Sequence, residues 1–183
     1  VLFVGRITIQ KGPDYFLSVA RRVLEHEPRA YFIMAGSGDM ERQIIEGAAW
    51  LGIGNRFLFA GFSRDADLGR LYQMADLVVM PSVSEPFGIV SLEAALNGAP
   101  VLLSKQSGVS EVLRHVLKVD FWDIDEMANQ IIAALRYKPL REALRESASQ
   151  EARGVTWRRA ADRLAAVYHS VLSFFNQAMA IEV

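Results

Sequence analysis

Short apolar runs alternate with longer amphipathic ones along most of this chain. The short runs are VLFVG (Val1 to Gly5), AYFIMAG (Ala30 to Gly36), RFLFAGF (Arg56 to Phe62), DLVVMP (Asp76 to Pro81), PVLLS (Pro100 to Ser104) and a weaker LKVDFW (Leu117 to Trp122). They are nearly continuous and rich in β-branched and aromatic residues. Strands covered on both faces, as in a parallel sheet, have this pattern. Between them the apolar spacing turns helical. Lys11-Gly12-Pro13-Asp14 opens the first such stretch, with Pro near N1 and an acid in the first turn, and Phe16, Val19, Ala20 and Val23 follow helical spacing. Further helices are predicted over 40–51, 66–74, 88–97 and 124–136, and the pattern stays helical to the end. There Trp157, Ala160, Ala161, Leu164, Tyr168, Val171, Leu172 and Phe175 form one long apolar stripe.

This order predicts an α/β fold: a doubly wound, Rossmann-like three-layer sandwich with a parallel sheet of about six strands and right-handed crossovers. The 183 residues suit one domain spanning 1–183 with a substantial core. Half the residues are apolar and net charge is −1, so nothing favours nucleic acid or an anionic membrane. The chain has no cysteine, which excludes disulfides and thiolate metal sites. No apolar run reaches the roughly 20 residues that span a bilayer. The chain opens inside an apparent strand without a Met, which leads us to expect a piece of a longer protein.

Ligands in doubly wound folds sit beyond the carboxyl ends of the strands, so the loops there carry the candidate chemistry. Arg6 follows the first strand, and Lys11, one of only four lysines, stands at the next helix start. Two cations beside a helix N-terminus suit a phosphate or diphosphate. Two solvated loop charges would read the same. The turn Gly36-Ser37-Gly38-Asp39 lacks the third glycine of a dinucleotide fingerprint, and Asp39 is expected to cap the next helix. Gly61-Phe62-Ser63 either presents backbone groups to a planar ligand or simply turns the chain. Asp65-Ala66-Asp67 opens a helix, where acids complement the dipole, rather than holding a metal. His26, His115 and His169 make no ligand or catalytic set. Trp50, Trp122 and Trp157 read as core or rim packing.

The most informative stretch is SEPFGIVSLEAALNGAP, Ser84 to Pro100. Pro86 disfavours helical geometry at Glu85. Gly88 lets the backbone approach a ligand, and the N–H groups near Gly88, Ile89 and Val90 lack intrahelical acceptors. Ile89, Leu92, Glu93 and Leu96 then fall on one stripe, so Glu93 sits among apolar neighbours. A buried, unpaired carboxylate costs several kcal/mol, so Glu93 needs a cation, backbone amides or ligand hydroxyls. A core arginine, or a place at the stripe's wet edge, would also satisfy it. Glu85 either meets a ligand or compensates the helix dipole. The next loop, SKQSGVSEV (Ser104 to Val112), repeats a small-residue helix entry at the same sheet edge, with Glu111 inside the short helix.

Three segments taken together resemble a known family. GRITIQKGPDYFLSVA is similar to its G-R-x-x-x-x-K-G segment; AGSGDMERQI followed by FLFAGF is the second match. PSVSEPFGIVSLEAALNGAPVLLS is the third and most specific, with Glu85 and Glu93 in an E-x7-E arrangement. The chain resembles the C-terminal, donor-binding half of a retaining GT-B glycosyltransferase of family 4, glycosyl transferases group 1. The resemblance implies that Arg6 and Lys11 bind the donor diphosphate and neutralise the leaving group. It gives Glu85 the donor sugar's hydroxyls and Glu93 the ribose hydroxyls. Backbone groups from Phe87 through Gly88, Ile89 and Val90 would touch sugar or phosphate, and Gly61 and Phe62 would lie by the base. No metal and no cofactor is implied, only a nucleoside diphosphate sugar (UDP-, GDP- or ADP-linked) as substrate. The partner implied is the acceptor-binding N-terminal half, absent from this chain, and any membrane contact would run through it. A cytoplasmic location and an inactive isolated fragment are expected.

There are departures. Where many members have G-G-x-P-E, this chain has Ser107-Gly108-Val109-Ser110-Glu111, and the turns that usually follow are missing. A non-catalytic nucleotide or phosphometabolite binding module on the same scaffold is the competing reading. An epimerase or phosphorylase of related fold is weaker. Two further expectations follow. Glu93 should stand at the cleft edge, partly unpaired until a nucleotide arrives. The apolar tail, with Leu172, Phe174, Phe175, Met179 and Ile181, should pack partly on the missing half.

Overall fold

The computed structural model describes residues 1–63 and 65–181, with side chains described through Phe174. It divides into two compact units, Val1–Ala152 and Arg153–Val183. The first unit holds six strands: β1 (Leu2–Val4), β2 (Phe32–Ala35), β3 (Phe57–Gly61), β4 (Val78–Met80), β5 (Val101–Ser104) and β6 (Leu117–Val119). Their helices are α1 (Pro13–Leu24), α2 (Glu41–Trp50), α3 (Asp65–Met74), α4 (Ile89–Leu96), α5 (Ile124–Arg136) and α6 (Lys138–Arg153). Single 3-10 turns occupy Ile9–Lys11 and Gly108–Glu111. The sheet runs β3-β2-β1-β4-β5-β6 with every neighbour parallel. This is the doubly wound, Rossmann-like sheet of six strands that the alternation predicts. Strand order reverses at β1 and β4, the switch point where such folds bind ligands.

Alternation along the strands explains the three layers. Phe3, Phe32, Met34, Phe57, Val79, Leu102 and Val119 face a core shared with Phe16 and Val19 of α1, Ile44 of α2, and Met127 and Ile131 of α5. Leu2, Val4, Val78, Met80, Val101 and Leu103 are buried on the opposite face, where α4 packs on β4 and β5. Phe16 is the aromatic hub: its ring lies 5.4 Å from Phe3, 5.6 Å from Phe32 and 5.7 Å from Phe57. Truncating such a ring to Ala costs about 3–5 kcal/mol.

The start of α1 shows how a local signal sets a site. Pro13 is the first helical residue and Gly12 the N-cap, at φ +65°. A Cβ on Gly12 would stand 2.1 Å from the Pro81 carbonyl oxygen. Glycine therefore brings the entry of α1 against the end of β4, and Lys11 with it.

Some expectations need correction. Asp39 does not cap α2; the N-cap is Met40, with no side-chain hydrogen bond. The Gly36–Asp39 turn instead bonds to the neighbouring loop by backbone: Ile7 N–H donates to the Ser37 carbonyl at 2.9 Å, and Met40 N–H to the Ile7 carbonyl at 3.0 Å. The strand at LKVDFW stops at Val119, because Asp120 turns to accept from Lys105 and Gln106 at 2.8 and 3.0 Å. Trp50, Trp122 and Trp157 are not core residues; they are 86%, 57% and 91% exposed. Only Trp122 has an aromatic neighbour among the described rings, Phe121 at 4.8 Å.

Away from the cleft, Glu151 of α6 fastens the loop before β6. Its carboxylate accepts from the backbone N–H of Arg114 and His115 at 2.8 and 3.1 Å and meets His115 Nδ1 at 2.7 Å. His115 is thus tied into the contact between this loop and α6. The second unit carries one helix, α7 (Trp157–Ile181). Thr156 opens it, its hydroxyl oxygen accepting from the Arg159 N–H at 3.3 Å. Leu172 and Phe174 are 59% and 70% exposed. The side chains of Phe175, Met179 and Ile181 lie outside the described residues. No helix among the described residues is long and apolar enough to cross a membrane.

Candidate functional site

The loops leaving β1 and β4 are neighbours because the sheet order places those strands side by side. They are laced together by backbone: Val83 and Ser84 N–H both donate to the Gln10 carbonyl, at 3.0 and 3.3 Å. Side chains add the Lys11–Glu85 pair, in which Nζ donates to Oε2. Both are largely shielded, 17% and 12% exposed, so the pair is held with less water than an ordinary surface bridge.

A third loop braces Glu85 from beneath. Gly108 N–H donates to the Glu85 carbonyl at 3.0 Å and Val109 N–H to the Phe87 carbonyl at 2.6 Å. Glu85 also forms an isolated parallel bridge with Ser107. Ser104, fully buried, donates to the Ser82 carbonyl at 2.6 Å and lies 3.2 Å from the Ser107 hydroxyl. The small residues of SKQSGVSEV thus carry the Glu85 loop. Gly88, the N-cap of α4, adopts φ +106° and is buried. A Cβ there would meet Val109 at 3.1 Å and Glu85 Cγ at 3.3 Å, so the space glycine leaves is already taken by protein.

In front of these loops lies a cleft of about 310 Å³. Its walls come from the ends of β1 and β2 (Val4, Gly5, Arg6, Ala35, Gly36, Ser37), from Lys11, from Phe62, Ser63 and Leu68, and from Val90. Arg6 is exposed at its side. Where β2 meets β3 the register shifts between Met34 and Ala35, so Ala35 pairs with Gly61. Gly61 takes φ +66° and sends the chain into the Phe62–Ser63 wall. Val90 stands in the first turn of α4, where N–H groups have no intrahelical acceptor and the helix dipole favours an anion. Cations at one side and a helix N-terminus at the other fit an anionic ligand.

Of the residues singled out by sequence, Arg6, Lys11, Phe62 and Val90 line this cleft, and Gly61 leads into it. Glu85 joins it through Lys11. Phe87 and Ile89 flank the α4 entry, 40% and 61% exposed, and are not cleft walls. Glu93 lies one turn beyond Val90. It has one side-chain donor among the described residues: Tyr72 Oη bonds to its Oε2 at 3.2 Å. Tyr72, on α3, is 1% exposed. Burial first, and the neighbouring Glu93 carboxylate second, push the Tyr72 phenol well above its ordinary value, so it remains a donor. Sequence reading missed Tyr72. Its signal was a tyrosine on a buried stripe, whose hydroxyl needs a partner, next to a βα unit whose buried glutamate needs a donor.

Asp65 and Asp67 sit in the first turn of α3 and Asp67 pairs with Arg70 at 3.2 Å, a helix-entry arrangement. Among the described residues no group of three or more His, Asp or Glu could hold a metal ion.

Known proteins share this architecture. HepE of Anabaena, solved in complex with UDP, matches with a TM-score of 0.79 at 23% identity, over 90% of this chain and 48% of that one. An uncharacterised glycosyltransferase of Methanocaldococcus jannaschii is 44% identical over 115 residues, 63% of this chain and 29% of its own. A D-inositol 3-phosphate glycosyltransferase of Nocardia farcinica is 34% identical over 191 aligned positions, 98% of this chain and 42% of its own. The chain therefore spans less than half the length of these relatives. The model of the family described as glycosyl transferases group 1 matches residues 1–151, which include every wall of the cleft and both glutamates of the α4 segment. On that match the chain belongs to the glycosyl transferases group 1 family.

Proposed function

We propose that this chain is the donor-binding, C-terminal half of a retaining GT-B glycosyltransferase of family 4, which moves a sugar from a nucleoside diphosphate sugar to an acceptor. The observation that carries the reading is the single cleft at the β1/β4 switch point. It gathers Arg6, Lys11 and Val90 in the first turn of α4; Glu85 reaches it through Lys11, and Glu93 stands one turn behind Val90, bonded to Tyr72.

Each group has a task that follows from its chemistry. Arg6 and Lys11 offer positive charge where the diphosphate gathers negative charge as the sugar leaves, a use of preorganised charge that often dominates catalysis. N–H groups near Gly88, Ile89 and Val90 add donors along the helix axis. Glu85 accepts from the sugar's hydroxyls. Its partner Lys11 already neutralises one oxygen, so sugar and diphosphate meet at a prepaired couple rather than a bare charge. Glu93 accepts from the ribose, and Gly61 and Phe62 border the base. The bond from the anomeric carbon to the diphosphate oxygen breaks. The acceptor oxygen bonds to that carbon from the same face, and its proton passes to the departing phosphate. No residue here serves as a nucleophile and no metal is required. The cleft, at about 310 Å³, is at the lower end of the roughly 300–1,000 Å³ of ligand pockets. The N-terminal half would supply the facing wall and the acceptor site, and the exposed apolar residues of α7 would pack partly on it. The place of action we assign is the cytoplasm.

The test is a melting screen of this chain with UDP, GDP and ADP and their sugars. UDP comes first because HepE was solved with it. A ligand at 100 times its dissociation constant adds about 2.7 kcal/mol. No shift with any of them at millimolar concentration would refute donor binding by this half. Joining the N-terminal half and assaying sugar transfer separates an enzyme from a non-catalytic nucleotide-binding module.

A further inference from the structure

Leu68 of α3 and Val90 of α4 are two walls of the cleft. Tyr72 is four residues beyond Leu68 and Glu93 three beyond Val90, so each lies on the same helix face as its cleft residue. The 3.2 Å hydrogen bond between them therefore lies one turn behind the wall on both helices. Both helices begin at the cleft, and side chains on a helix lean toward its N-terminus. That tilt turns the Cα–Cβ bonds of Tyr72 and Glu93 toward the cleft end of their helices. Gly69, one turn before Tyr72, faces the end of α4: a Cβ there would stand in ordinary contact, 3.5 Å, with Asn97 Oδ1.

We propose that Tyr72 is a positioning residue for the donor's ribose: its hydroxyl fixes Oε2 of Glu93 and leaves Oε1 to receive the ribose hydroxyls. This rests on the ribose role given to Glu93 above. A free glutamate side chain loses rotamer entropy when it is fixed. Tyr72 imposes that order before the ligand arrives, which is the general gain from preorganisation. Among the described residues no other side chain bonds to the Glu93 carboxylate. The partner is neutral and stays so, since burial and the adjacent carboxylate keep the phenol protonated. It orients the carboxylate without cancelling its charge, so Glu93 keeps its strength as an acceptor for hydroxyls. Because α3 also carries the Leu68 wall, one helix shapes the cleft and sets the acceptor within it.

The test compares Tyr72→Phe with the parent chain by calorimetric titration of UDP, GDP and ADP and their 2′,3′-dideoxy forms. The ring remains, so packing on α3 is kept. The expected result is a loss of about tenfold in affinity for the ribonucleotide, about 1.4 kcal/mol, with dideoxy affinity unchanged. In a Glu93→Gln background Tyr72→Phe should add nothing, the mark of a residue acting through another. Equal loss on ribo and dideoxy forms would reveal a merely structural tyrosine and overturn the proposal, as would no loss on either. If the parent chain itself does not prefer ribo over dideoxy ligand, the ribose role of Glu93 fails first and this proposal with it. A ligand-free check stands beside these. The side-chain carboxyl 13C resonance of Glu93 should move in Tyr72→Phe, and an unmoved signal would overturn the contact itself.

Discussion

The two carboxylates of the α4 segment are eight residues apart and are held in opposite ways. Glu85 sits on a loop, anchored by the Gly108 N–H at its carbonyl within a parallel bridge opposite Ser107, and its charge is met by Lys11. Glu93 sits inside a helix and its one side-chain partner among the described residues is the neutral Tyr72. A cation cancels charge; a phenol orients it. The first arrangement suits a place where a charged diphosphate must be received, since Lys11 can turn its charge to phosphate while Glu85 turns to hydroxyls. The second suits a place that binds only neutral hydroxyls and needs a full acceptor.

The largest expected effect breaks the cationic side. In a protein joining this chain to the proposed N-terminal half, Lys11→Ala should lower transfer by about 10²–10³-fold, the scale seen when one preorganised charge-stabilising donor is removed. Single-turnover kinetics would show it in the chemical step. An unchanged rate would move leaving-group stabilisation off Lys11.

A smaller effect separates the carboxylates. Glu93→Gln should weaken plain nucleoside diphosphate binding about tenfold, through loss of a charge-assisted acceptor. Glu85→Gln should leave plain diphosphate binding undiminished, since it only frees Lys11, but should blunt discrimination among donor sugars. Calorimetry of UDP against UDP-sugars in both variants decides. Matching losses of UDP binding would contradict the division of roles.

The smallest effect uses a carboxylate outside the cleft. Burial works to raise Glu151, but the backbone and ring groups of His115 and the Arg114 N–H outweigh it and hold the carboxyl below its ordinary range. A carboxyl lowered in the folded state adds stability above its unfolded pKa and loses it as pH falls through the folded one. Glu151→Gln should therefore lower the melting midpoint at neutral pH and have no further cost under acid, where parent and variant converge. Melting curves between about pH 3 and 7 would show this. A gap that widens in acid would reverse the assignment.

Several features are legible in the residues alone. Continuous apolar runs announced buried parallel strands, because both faces of such a sheet are covered by helices. Gly12-Pro13-Asp14 marked the start of α1, and the structure puts Pro13 at its first position. Boundaries were less legible: each strand is shorter than its apolar run, since apolar residues also fill the turns beneath helices. The tryptophans misled because a large side chain carries no label of the side it faces. Asp39 misled because the glycine turn before it met the neighbouring loop through backbone bonds and needed no cap.

Residue types and local spacing by themselves determined the helices, the strands, the place of Arg6 and Lys11 around the entry of α1 and the presence of two carboxylates around one helix entry. These depend on contacts within a few residues and on the periods of helix and strand. Only the tertiary structure decided the partners. Lys11 and Glu85 are 74 positions apart and meet because β1 lies next to β4 in the sheet. Tyr72 and Glu93 are 21 apart and meet in a side-chain hydrogen bond between α3 and α4. No local period encodes such pairings. Strand order sets them, and strand order is a property of the whole folded sheet.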